Sequence, residues 1–136
     1  MSAAGGGFNR STTLTKLVLY TDSDGRAQFR EEPVTLPSGM PQTMLSASFP
    51  SSGYQFRCSP VGFRSEFHCT LRPQWVFVLA GEMEIGLQDG SSRILRPGCH
   101  CYANDILPSG ATFDSKVHGH WSAQRRTYSL VTLFVW

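Results

Sequence analysis

The chain has 136 residues, of which 40% are hydrophobic and 16% are charged, and its formal net charge is +2. This length and composition predict one globular domain with a single core. The basic residues are scattered and form no stripe interleaved with aromatic side chains, which argues against a nucleic-acid partner. No apolar run approaches the length of a membrane span, so we expect no membrane partner.

The first residues of the chain, 1–12, are rich in Gly, Ser and Ala, and we expect a flexible tail ahead of one domain at 13–136. The segment lacks the apolar stretch of a secretory signal, which predicts a cytoplasmic protein. Four cysteines are then expected to be ordinary reduced thiols. Cys99 and Cys101 are separated by a single residue, which is not the spacing of a structural zinc site.

After the tail, each segment with a clear pattern predicts a β-strand. Residues 13–20, TLTKLVLY, are rich in β-branched and apolar side chains and are followed by the turn sequence TDSDG. Residues 74–81, QWVFVLAG, form an almost continuous apolar run, which is typical of a strand buried on both faces. In EMEIGLQ, at 82–88, apolar and polar residues alternate, and the next residues supply a hairpin turn. Residues 127–136, TYSLVTLFVW, predict a closing strand.

No window of the sequence has a sustained helical period. Many short strands separated by Gly and Pro turns predict an all-β sandwich or jelly roll. A jelly roll of this size leaves strand edges to be covered, so we also expect a homodimer. The strands predicted at 13–20 and 127–136 are apolar enough to pair across a two-fold axis.

The segment 62–81, GFRSEFHCTLRPQWVFVLAG, resembles the first motif of the cupin superfamily. That motif consists of Gly, five residues, His, one residue, His, three or four residues, Glu, six residues and Gly. Three residues keep their places in this chain, namely Gly62, His68 and Gly81. Thr70 stands where the motif has its second histidine, and Gln74 stands where it has the glutamate.

The resemblance covers residues 17–136 and is to a group of small single-domain cupins. It implies a double-stranded β-helix, which is a jelly-roll barrel with one pocket at its wider end. Residues 68 and 70 would face the same side of a strand and point together into that barrel. Gln74 would join them from the next strand, after a short turn.

The second cupin motif is where the sequence departs most from the family. The motif normally reads Gly, five residues, Pro, one residue, Gly, two residues, His, three residues and Asn. We expect residues 103–116 to form an extended loop, with His118 or His120 in the histidine role and both facing one side of a strand. If PSGATF at 108–113 is in register instead, Phe113 fills the site.

The resemblance implies one pocket that contains both candidate metal ligands and candidate substrate contacts. Imidazoles suit zinc, iron, copper or nickel, so a divalent transition metal is the expected cofactor. The candidate metal ligands are His68, Gln74, His118 and His120. The candidate substrate contacts are Thr70, Arg72 and Tyr102. The planar fork of Arg72 could bind a substrate carboxylate, or the side chain could be a solvated turn residue.

Two functions stay open at this stage, and both have a small organic molecule as the partner. The first is a metal-assisted enzyme such as an isomerase, lyase or oxygenase. The second is a metal-free, non-catalytic barrel that binds a small molecule in the same pocket. The three histidines favour the first function, whereas the neutral Thr70 and Gln74 favour the second. Asp105 and Asp114 are acid/base candidates, although capping a turn is the more common role for such residues.

Overall fold

The computed structural model describes residues 14–136 and the backbone of Gly7–Phe8. The rest of the predicted tail, 1–12, lies outside the described residues. The described part of the chain contains strands and no helix, which confirms the all-β prediction, and it therefore has no helix that could cross a membrane. The strands are β1 Gly7–Phe8, β2 Leu14–Thr21, β3 Ala27–Val34, β4 Ser38–Met40, β5 Thr43–Leu45, β6 Tyr54–Ser59, β7 Gln74–Ala80, β8 Met83–Gly86, β9 Ser92–Leu95, β10 His100–Asn104, β11 Trp121–Gln124 and β12 Leu130–Val135.

Seven strands form the large sheet, in the order β1-β2-β10-β7-β12-β6, and β3 also pairs with β2. The β2–β10 pairing is parallel and the other pairings are antiparallel. The register of β10 on β7 sets Ala103 beside Gln74 and His100 beside Phe77. The large sheet thus brings the start of β7 next to the end of β10.

A smaller sheet has three strands, in the order β11-β8-β9, and β4 and β5 form a separate hairpin. The predicted turn between β8 and β9 is present, with Leu87 N donating to Ser91 O at 2.9 Å. Gly90 has a φ of 87° in this turn, a conformation that glycine adopts without steric cost. The small sheet is therefore built on one tight hairpin, to which β11 is added.

The hydrophobic core lies between the large and small sheets. The large sheet contributes alternate residues of its central strands, such as Leu17 and Leu19, and the small sheet contributes Met83, Ile85 and Leu95. The expected burial of one face of residues 82–88 is confirmed, because Met83, Ile85 and Leu87 are all buried. Fully burying one such side chain contributes roughly 1.5–3 kcal/mol, so this interface holds the two sheets together.

The opposite, outer face of the large sheet is also partly covered, which explains the continuous apolar run of β7. Val76 faces the core, whereas Trp75 and Phe77 lie on the outer face with their rings stacked 5.9 Å apart. The segment 46–53 folds over this face, and Phe49 lies 6.3 Å from Trp75 between ring centroids. Both faces of β7 therefore need apolar side chains.

The segment between β6 and β7 passes from the large sheet to the small one. Arg64 forms a backbone bridge with Ala123, and His68 forms one with His120. The chain then returns to the large sheet at Gln74, where β7 begins. This crossing brings His68 next to His120, which immediately precedes β11.

Two strands were expected to pair between subunits, but both are internal in the large sheet. Strand β2 lies between β3 and β10, and β12 lies between β6 and β7. Their hydrogen-bonding edges are therefore used within the chain, which corrects the basis that we gave for a dimer. Strand β6 ends the sheet order of the described residues and presents a free edge instead.

Candidate functional site

A cavity of about 770 Å³, here called the inner cavity, opens between the two sheets. Its apolar wall comes from both sheets and includes Leu19, Val76, Met83 and Ile85. Its polar wall comes mainly from the segment that crosses between the sheets and from the start of β11. The polar side chains that line it are Gln55, Arg57, His68, Thr70, Arg72, Gln74, His120 and Ser122.

His68 and His120 lie side by side in this wall. His68 N donates to His120 O at 2.8 Å and His120 N donates to His68 O at 2.9 Å, and the ring centroids are 4.5 Å apart. Gly119 makes this approach possible, since its φ is 78° and a Cβ there would overlap the His68 carbonyl oxygen. The imidazole pair is therefore set by the backbone.

Asp105 holds the pair from behind and is completely buried. Its Oδ2 accepts a hydrogen bond from His120 Nδ1 at 2.5 Å, and its Oδ1 accepts one from Thr70 Oγ1 at 2.6 Å. The sequence left Asp105 between an acid/base role and turn capping, and did not predict its contact with His120. Strand alternation places Asp105 on the same face as Cys101 and Ala103, and tertiary packing turns that face inward.

The hydrogen bonds fix the tautomers of both rings. His68 Nδ1 donates to Glu66 O at 2.9 Å, because a carbonyl can only accept. Each neutral ring then carries its lone pair on Nε2, and neither Nε2 has a hydrogen-bond partner within residues 14–136. Partial burial lowers the pKa of His68 and the charge of Arg57 acts in the same direction, whereas the hydrogen bond to Glu66 O acts in the opposite direction. His68 is therefore neutral near pH 7 and offers a free acceptor nitrogen.

Most of the candidate residues from the first motif meet at the inner cavity. Thr70 is buried there, and Gln74 lines the cavity from the first position of β7. Arg72 also lines it, and its guanidinium lies 3.7 Å from the Trp136 ring centroid. The structure thus brings His68, Thr70, Arg72, Gln74 and His120 together at one cavity.

His118 does not join them. It precedes Gly119 in a turn rather than a strand, so the expected alternation between 118 and 120 is absent. Its Nδ1 accepts from Asp114 N at 2.9 Å, and its carbonyl accepts from Gln88 at 3.2 Å. His118 therefore organises the loop before β11 and does not line the inner cavity.

An extended loop was expected at 103–116, and residues 105–116 lie outside the strands, whereas Ala103 and Asn104 end β10. Phe113 is 41% exposed and does not line the inner cavity, so it does not take the histidine position. Asp114 accepts from Lys116 N at 2.9 Å, which is the turn-capping role considered for it. Beyond Asp105, the loop thus keeps the side chains of Phe113 and Asp114 away from the inner cavity.

Tyr102 lies on the other face of the large sheet. Because Cys101 and Ala103 face inward, Tyr102 and His100 face outward, where they line a second cavity of about 600 Å³. Lys16 Nζ lies 4.3 Å from the Tyr102 ring centroid in this outer cavity. Burial lowers the pKa of His100, which is 7% exposed and whose Nε2 has no partner within residues 14–136. Tyr102 is therefore separated from the imidazole pair by the sheet.

The donor set of the inner cavity is small for a transition metal. No group of three or more His, Cys, Asp or Glu side chains among the described residues is arranged to hold a metal ion. The cavity offers two imidazole nitrogens and the neutral amide of Gln74. Catalytic zinc usually has three strong protein ligands. The four cysteines are free, and burial raises the pKa of Cys101 to about 12.

Comparison with known proteins adds no assignment to this geometry. No protein-family model matches the chain, and none of the curated proteins matches it significantly. The function is therefore inferred from the imidazole pair, the cavity that this pair lines and the buried carboxylate behind it.

Proposed function

We propose that the chain is a small cupin-type barrel that binds a small organic molecule in the inner cavity. In this proposal His68 and His120 accept hydrogen bonds or a proton from the ligand through Nε2. The observation that carries it is the pair of free Nε2 atoms, fixed by a backbone bridge and a buried carboxylate. A volume of about 770 Å³ also falls in the range of small-molecule sites, roughly 300–1,000 Å³.

The cupin-type fold is supported by two features. The first-motif spacing of Gly62, His68 and Gly81 agrees with that family. The first-motif histidine also meets His120, one of the two histidines expected to complete the second motif, at a cavity between two sheets. Both histidines would belong to one site in a cupin, so their contact is the relation that the resemblance predicts.

His120 is the better placed proton acceptor of the pair. Asp105 accepts its Nδ1–H, which orients the ring and stabilises the imidazolium that forms when Nε2 takes a proton. The ring of His68 is only 4.5 Å away between centroids, so a second positive charge would be opposed by repulsion. His120 Nε2 is therefore the atom of the pair that would exchange a proton with a ligand.

Nuclear magnetic resonance of the histidine rings tests this proposal. A library of small polar organic compounds is titrated into the protein, and the compounds that bind should shift the ring signals of His68 and His120. The affinity of these compounds should fall about tenfold in His120→Gln, as for the loss of a hydrogen bond to a charged group. His100→Gln is the matched control, because His100 lines the outer cavity. Failure of every compound to shift either ring would contradict the proposal.

A metal-assisted enzyme is the second candidate, and one observation favours it. Each ring donates its Nδ1–H to an oxygen, as metal-bound histidines usually do with the nitrogen that is not a ligand. His68, His120 and Gln74 would hold a divalent ion such as zinc, iron, copper or nickel, which would act as a Lewis acid. The chain would then be an isomerase, lyase or oxygenase, although the neutral Gln74 is a weaker ligand than the glutamate of the cupin motif.

Elemental analysis separates the two candidates. If metal binds, His68→Ala should remove most of it, because an imidazole is a far better donor than the remaining hydroxyl and amide groups. Gln74→Glu should increase the metal content by adding an anionic ligand. The cells are grown with added zinc, iron, copper and nickel. If the wild type and Gln74→Glu both stay metal-free, only the metal-free function is left.

A further inference from the structure

The ionisable side chains at the surface of the inner cavity have one sign of charge. Arg57 and Arg72 carry positive charges, and His68 and His120 are the only other ionisable groups there apart from thiols, among the residues that the structure describes. No Asp or Glu side chain is part of the described lining. Asp105 is the nearest buried carboxylate, and Thr70 and His120 already occupy both of its oxygens.

Both arginines are held by aromatic rings rather than by acids. The guanidinium carbon of Arg57 lies 5.2 Å from the ring centroid of Phe134, and that of Arg72 lies 3.7 Å from the ring centroid of Trp136. A guanidinium stacked on a ring keeps its in-plane N–H groups available for an anion. Within residues 14–136 neither arginine forms an ion pair, whereas Arg96 and Arg126 both pair with Glu82.

Part of the cavity wall is apolar. Val76 faces the cavity from the large sheet, and Met83 and Ile85 face it from the small sheet. All three side chains are buried in the hydrophobic core, which limits their freedom to rearrange. A ligand that fits this wall needs a hydrophobic body as well as an anionic group.

We infer that the ligand of the inner cavity is an organic acid, whose carboxylate binds Arg57 and Arg72 and whose apolar body packs on Val76, Met83 and Ile85. The inference rests on the proposed function, because it assigns a chemical class to the ligand of the same cavity. It also assigns specificity to Arg57, a residue that the first-motif resemblance does not include. Arg57 lies on β6, and its charge reaches His68, whose pKa it helps to lower.

Matched pairs of straight-chain acids and their amides, from butanoate to octanoate, provide the test. Affinities are measured by titration calorimetry, and the ring signals of His68 and His120 are followed by nuclear magnetic resonance. We expect each acid that binds the wild type to bind about tenfold more tightly than its amide. This preference for the acid should disappear in Arg57→Gln and in Arg72→Gln. Arg64→Gln should keep the preference, because Arg64 is stacked on Trp121 in the same manner but does not line the cavity.

The possible outcomes distinguish this inference from the proposed function. Equal binding of acid and amide, with shifts of the His68 and His120 rings, would overturn the carboxylate inference and leave the binding function standing. An acid preference that survives in both Arg57→Gln and Arg72→Gln would also overturn it. No binding of any pair, with both rings unperturbed, would overturn the inference and count against the proposed function as well.

Discussion

Asp105 is the residue on which the geometry of the imidazole pair depends. It is fully buried, and its two oxygens accept from His120 and Thr70. In Asp105→Asn one of these two donors should lose its acceptor and the other should keep only a neutral one, and the amide group brings new donors into a site that needs acceptors. We expect the free energy of unfolding to fall by about 1–3 kcal/mol, measured by urea denaturation.

The matched control for this change is Asp114→Asn. Asp114 is exposed and accepts from Lys116 N in the loop, so its loss should cost less than about 1 kcal/mol. Nuclear magnetic resonance of the His120 ring should also show a mixture of tautomers in Asp105→Asn. Equal costs in the two variants would mean that the buried carboxylate does not organise the site.

The lowered pKa values of two histidines predict that the protein loses stability in mild acid. Burial lowers the pKa of His100 and of His68 below 6.5, and the charge of Lys16 adds to the effect at His100. The unfolded chain therefore binds more protons than the folded chain, and stability increases with pH in this range. The stabilisation is complete above about pH 6.5 and is lost as the pH falls through the lowered values.

Urea denaturation between about pH 8 and about pH 5 measures this dependence. We expect the free energy of unfolding to decrease toward pH 5, and the decrease to be smaller in His100→Gln, which removes one of the two groups. A stability that stays level or increases toward pH 5 in the wild type would contradict the prediction.

Among the structural elements, the turn before β11 decides whether the two imidazoles meet. Gly119 has a φ of 78°, and a Cβ there would overlap the backbone of His68 and Cys69. Gly119→Ala should therefore break the bridge between His68 and His120 in addition to the left-handed penalty of roughly 1–2 kcal/mol. The measurement is urea denaturation together with amide hydrogen exchange at His68 and His120.

Gly110→Ala separates the two costs of this substitution. Gly110 has nearly the same φ, 79°, but a Cβ there would meet no atom within 4 Å. Gly110→Ala should be destabilised only by the left-handed penalty, and it should keep slow exchange at both histidine amides. If Gly119→Ala is no more destabilising than Gly110→Ala, the close approach of the two segments is not what requires glycine.

At the scale of the whole molecule, a homodimer remains a prediction, now based on β6. This strand has a free edge among the described strands, and it exposes Tyr54 and Phe56 by 68% and 66%. An exposed apolar edge strand is a ready template for pairing with another copy. Light scattering at micromolar concentration should give twice the mass of the chain, and Tyr54→Lys should give a monomer.

Tyr128→Lys is the control for the dimer, because Tyr128 is 55% exposed but lies between β11 and β12. It should leave the mass unchanged. A wild-type mass equal to that of one chain would end the dimer prediction.

The sequence by itself determined the all-β class and the positions of the strands predicted at 13–20, 74–81, 82–88 and 127–136. Alternation at Met83, Ile85 and Leu87 and the hairpin turn after them are local properties, set by the two-residue period of a strand and by turn chemistry. The first-motif spacing also predicted that His68, Thr70 and Gln74 would share a pocket, and all three line the inner cavity. These relations depend on residues that are close together in the chain.

Only the tertiary structure decided which distant residues complete the site. A period of two shows that Tyr102 and His100 share a face, but only the packing of the two sheets assigns that face to the outside. Likewise Gly119 interrupts the alternation that would have placed His118 beside His120. Asp105 reaches the site because β10 ends beside the crossing segment, and Arg57 reaches it because β6 runs beside that segment. Such contacts depend on long-range packing that no local period encodes.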